Sequence, residues 1–134
     1  MYQSGNEKMG YTVQVDSEKQ VLFLKCWGMW DESLADDYRK HMLESYDQID
    51  QRPWFVLADI SQFPPQRESV QAVHGELMGL AVGRGMLKAA SVVDSTLSKM
   101  QIRRIAEESH MSELAFHTTE ADALAWLLKD QAIA

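Results

Sequence analysis

Four histidines, two aspartates that follow apolar runs and several serines at turns are the groups in this chain whose types could support chemistry. His41, His74, His110 and His117 fall in different predicted segments. No two share the i, i+4 spacing beside a carboxylate that a helical zinc site uses, so no metal is expected. Asp59 stands near the end of the apolar run WFVLADI, and Asp94 follows the short run Ala89–Val93. Both positions are at the carboxyl edge of a predicted strand, where open α/β sheets collect ligands. With Ser61, Ser69 and Ser95 they would frame a polar crevice, into which His74 could point as a general base. The plainer alternative is that each carboxylate or hydroxyl caps a loop or helix, and that His74 is structural.

Other candidates carry less. Cys26 lies among apolar neighbours without an adjacent base, which favours an inert thiol. Gly83-Arg84-Gly85 is too short for a phosphate loop and reads as a helix stop. Lys99, Arg103 and Arg104 form a small basic face, most simply paired with Glu107 and Glu108. No Gly-x-Ser-x-Gly elbow occurs. No catalytic residue and no cofactor are therefore assigned. The aromatics give a different signal: Trp27, Met29 and Trp30 crowd the exit of a strand, Phe63 sits in a proline loop, and there are eight methionines. Exposed together, they would make a pocket mouth for a protein partner or a lipid-like ligand; otherwise they are core.

The elements that must position these groups follow from periodicity. Residues 1–10 show none and are expected to form a flexible arm. Tyr11–Asp16 alternates, and Val21–Gly28 is rich in β-branched and aromatic residues, so the two predict an antiparallel hairpin. Leu34, Tyr38, Met42 and Tyr46 mark an amphipathic helix opened by Asp31 or Ser33. Trp54–Ile60 predicts a strand covered on both faces. After Pro64-Pro65, Ser69 is the expected N-cap of a helix striped by Val70, Val73 and Leu77. A strand at Ala89–Val93, a helix from Asp94 or Ser95, a strand at Leu114–His117 and a helix over Glu120–Lys129 complete the order ββαβαβαβα. Right-handed crossovers would then make the later strands parallel and distribute about four helices over a mixed α/β sheet, as one domain over 11–134.

Composition narrows the class. The 134 residues carry 13 Lys+Arg against 20 Asp+Glu, a net charge of -7, which argues against a nucleic-acid partner. A single cysteine excludes a disulfide scaffold. No apolar run approaches the roughly 18 residues of a membrane span, and no signal peptide is evident, so a cytoplasmic protein is expected.

The element order and the string KAASVVDSTLSKMQIRRIAEESHMSELAFHTTEADALAWL resemble the SpoIIAA-like superfamily, which contains STAS domains and bacterial anti-anti-sigma factors, over Tyr11 to Leu128. The resemblance implies a non-enzymatic bacterial regulatory or ligand-binding domain of that fold. It also implies a phosphorylatable serine opening the helix after the central strand. In ADISQFPPQRESVQAVHG the nearest position is Ser69, although Val70 and Gln71 replace the hydroxyl and glycine of that family's motif. The expected ligand surface comprises Asp59, Ser61, Phe63, Ser69, His74, Asp94, Ser95, Trp27 and Trp30, for a protein partner or a small apolar or anionic ligand. The alternatives are a small enzyme with Asp59 or His74 as general base, and a structural homodimer joined through the hairpin edge or an apolar helix face.

Overall fold

The computed structural model describes residues 1–49, 52–111 and 113–129; residues 130–134 of the expected domain lie outside them. Six strands and four helices follow the order β1 (Tyr2–Gly5), β2 (Gly10–Asp16), β3 (Val21–Trp27), α1 (Glu32–Asp47), β4 (Trp54–Gln62), α2 (Glu68–Gly83), β5 (Met86–Val92), α3 (Thr96–Glu108), β6 (Glu113–His117), α4 (Glu120–Leu128). From Tyr11 onward this is the expected ββαβαβαβα. The residues expected as a loose arm instead supply β1, which pairs antiparallel with β2 from Tyr2↔Val13 to Gly5↔Gly10. The turn between them is built locally: Asn6 Oδ1 accepts from the backbone of Lys8 and Met9, and the backbone N–H of Asn6 donates to the Met9 carbonyl at 2.8 Å. Gly5 has φ +103°, and a Cβ there would lie 2.3 Å from the Met9 oxygen, so the turn requires glycine. The Tyr2 ring, stacked 4.5 Å from His41, ties the strand to α1.

Strands run in sequence order across the sheet, β1 to β6. The β1/β2 and β2/β3 pairs are antiparallel, and β3 to β6 are parallel. This order decides where the helices go. Each parallel crossover steps to the next strand in the same direction, so a single handedness puts all three crossover helices on one face. Accordingly α1, α2 and α3 cover one side, and α4 alone covers part of the other. The main core joins Tyr11, Val13, Leu22, Val56 and Ala89 of the sheet to Leu34, Tyr38 and Met42 of α1 and to Val70, Leu77 and Ala81 of α2. The second core sets Phe55, Leu57, Ala90 and Val92 against Ala123 and Leu127 of α4. Trp54–Ile60 is thus covered on both faces, as its unbroken apolar run implies.

Helix starts follow local chemistry at three of four sites. Asp31, Ser95 and Thr119 accept from the backbone N–H groups of Leu34, Ser98 and Asp122. The exception is α2. It opens at Glu68 after Arg67 with no side-chain cap, and Ser69, the expected N-cap, lies inside the first turn and donates its hydroxyl to Glu32 Oε1 at 2.9 Å. Without a cap, and with Gly75 and Gly79 in its interior, α2 owes its helicity to the buried side chains of Val70, Leu77 and Ala81. A Cβ at Gly79 would meet no atom within 4 Å. Gly79→Ala is expected to raise the unfolding free energy by about 1 kcal/mol, measured by urea denaturation; an unchanged midpoint would mean that the glycine relieves a close contact.

Candidate functional site

The expected rim crevice does not assemble. A strictly sequential strand order has no point at which neighbouring crossovers diverge, and it is that divergence which opens a ligand crevice at the carboxyl ends of parallel strands. By alternation along β4, Asp59 shares the face of Phe55 and Leu57, opposite α1, α2 and α3, and it lies level with Lys25 of β3. Its Oδ1 accepts from the backbone N–H and the hydroxyl of Ser61, at 3.1 and 2.7 Å, closing a local turn. Asp94 is exposed, and Ser95 caps α3. His74 projects from α2 toward the other face of the sheet, so Asp59 and His74 are separated by the sheet itself and share no site.

The aromatic corner is also rearranged. Trp27 is half-buried and uses its indole N–H to hold the Asn6 carbonyl at 2.7 Å. Trp30 and Phe63 are core, at 0% and 6% exposure, and so form no surface for a partner. Three of the expected residues do converge. Trp30, Phe63 and His74 meet one another, and Trp30 and His74 also meet Tyr38, with ring centroids 4.9–5.5 Å apart in tilted or edge-on contacts.

A residue without any sequence signal fixes this cluster. Gln66, from the proline loop, is buried; its Oε1 accepts from the Trp30 backbone N–H at 2.8 Å. Its Nε2 donates to the carbonyls of Gly28 and Pro64 at 3.0 and 2.7 Å. One side chain therefore matches three backbone groups, of which the Trp30 N–H is buried, in two irregular segments that have no ladder to use. A glutamine beside two prolines and an arginine reads as solvent-exposed loop, and only tertiary closure makes it internal.

Behind the cluster, between the sheet and α1, α2 and α3, lies a cavity of about 80 Å³. It exists because the central strands present Ala58, Ala89 and Ser91 to the helices where flanking positions carry Trp54 and Val56. Its wall is almost wholly apolar. Burial pushes the Cys26 thiol and the Tyr38 phenol well above their ordinary values, so both stay protonated and neither is a nucleophile. Burial pushes His74 the other way, down to about 4, leaving a neutral imidazole at pH 7. Its Nε2 is sealed from water and has no hydrogen-bond partner. Among the described residues, no cluster of histidine, cysteine or carboxylate side chains could hold a metal ion, and no helix is long and apolar enough to cross a membrane.

A mixed six-stranded sheet in sequential order with three crossover helices on one face is a SpoIIAA-like α/β fold. One similar solved structure is an uncharacterised protein of the DUF3478 family with a SpoIIAA-like fold from Shewanella loihica PV-4: TM-score 0.72, 17% identity, 92% of this chain and 98% of that one covered. At that identity the likeness establishes the fold. No protein-family model and no curated protein matches the sequence.

Proposed function

We propose that this is a cytoplasmic, non-enzymatic binding domain that holds a small neutral molecule in the cavity between the sheet and α1, α2 and α3. The observation that carries the reading is the 80 Å³ space itself, left open by Ala58, Ala89 and Ser91 in an otherwise close-packed core. Its size sets the ligand class. It is far below the roughly 300–1,000 Å³ of pockets that take drug-sized molecules, and of the same order as the roughly 150 Å³ apolar cavity that admits benzene. One small ring fits this range and an acyl chain does not. The neutral wall favours an apolar occupant over an anionic one, because an isolated charge there would lack a counter-charge.

Control by phosphorylation at Ser69 has weaker support. The hydroxyl faces Glu32, and a phosphate there would set two like charges together, with Arg67 3.8 Å from the same carboxylate as partial compensation. Toluene is the test ligand for the cavity. We expect saturable binding, read by perturbation of the Met42 and Met78 methyl resonances, and its loss in Ala89→Leu, which fills the space. Absence of saturable binding to the folded wild-type protein overturns the proposal.

A further inference from the structure

Given that the cavity is a ligand site, we infer that its ligand is a small uncharged ring bearing one hydroxyl, and that His74 is the residue that recognises this hydroxyl. A buried nitrogen without a partner is a standing cost to the folded protein, which native interiors rarely retain. His74 has no protein group to satisfy it. Trp30, Tyr38 and Phe63 present ring faces or edges with centroids 5.3, 5.1 and 5.5 Å away, and no group of the mostly apolar cavity wall, Cys26 and Ser91 included, hydrogen-bonds Nε2. A bound molecule is what can supply the missing partner.

The chemistry of that group follows from the surroundings. A hydroxyl both donates and accepts, so it matches Nε2 in either neutral tautomer. A carboxylate or ammonium group would bring in a charge that no side chain of the wall opposes. A purely apolar ring would fill the space and leave Nε2 unmatched. A flat ring also suits the aromatic end of the cavity, where tilted and edge-on packing is already the rule.

Phenol and toluene, nearly equal in shape, separate these cases. In His74→Phe, phenol affinity is expected to fall at least tenfold relative to toluene affinity, which stays within about threefold of wild type, as for a site that loses its one hydrogen bond to a ligand. In the wild-type protein, phenol is expected to shift the His74 Nε2 ¹⁵N resonance and toluene to leave it in place, a readout that needs no variant. An unchanged phenol-to-toluene ratio, or an unmoved Nε2 resonance, overturns the inference while the cavity remains a ligand site. Failure of both probes to bind overturns the cavity reading and this inference together.

Discussion

Trp30→Ala is expected to lower the unfolding free energy by about 4 kcal/mol, within the range for deleting a buried large aromatic side chain. Trp30 is fully buried and touches the rings of Tyr11, Tyr38, Phe63 and His74, so its removal opens a void bounded by groups anchored on four different elements or loops. Those neighbours have little freedom to close in. The indole N–H is lost as well: it donates to the Gly10 and Trp27 carbonyls at 3.2 and 3.1 Å. Against a typical domain stability of roughly 5–15 kcal/mol, this is a large fraction. Trp30→Phe keeps ring contact without the donor, and we expect it to cost about 1–2 kcal/mol. Equilibrium urea denaturation decides between this role and a surface one. A loss under about 1 kcal/mol in Trp30→Ala would place the ring outside the core, where partner contact would be its function.

What the sequence made legible here is what local periodicity encodes. Leu34, Tyr38, Met42 and Tyr46 recur every four residues, and all four are buried on one side of α1. The alternation of Tyr11 and Val13 and the apolar run from Trp54 gave their strands for the same reason. β1 was illegible because Tyr-Gln-Ser-Gly has a single large ring; it is held by the Asn6 turn and by Tyr2 on His41, contacts made across the fold. Asp59 was misplaced for a related reason. In a strand buried on both faces the pattern does not say which face a polar residue takes, and the nearest hydroxyl, Ser61, satisfied it locally.

His74 is the instructive case, because its signal was present. It lies four residues after Val70 and three before Leu77, which is the spacing of a shared helical face. That spacing points it into the core, and the helix-side core is also where the sequential strand order gathers α1, α2 and α3. Strand order is set by long-range pairing, so the crevice expected at the sheet rim and the cavity found beneath the helices could not be told apart from local pattern alone. The small residues Ala58, Ala89 and Ser91 are visible in the sequence, but their consequence depends on which helices stand over them.

Acid should destabilise this protein through His74, with a sign that follows from its burial. In the unfolded chain the imidazole binds a proton near its ordinary value of 6.5; in the folded chain burial holds that value at about 4. Above pH 6.5 both states are neutral and pH has no effect through this group. Between 6.5 and 4 the unfolded state takes up a proton that the folded state refuses, so stability falls as pH falls. Over the whole window the loss attributable to His74 is about 2–3 kcal/mol, allowing for the residue's intermediate exposure. Glu32, Asp37 and Glu76, whose carboxyls are held below their ordinary values by hydrogen bonds from Ser69, from Ser4 and Tyr11, and from Arg39, add their own loss at lower pH. The difference between wild type and His74→Phe isolates the imidazole. The variant should lose markedly less stability than wild type from pH 7 to 4 in parallel urea titrations. Parallel curves over that range would mean that His74 takes up its proton in the folded state, and hence that water or a charged group reaches Nε2.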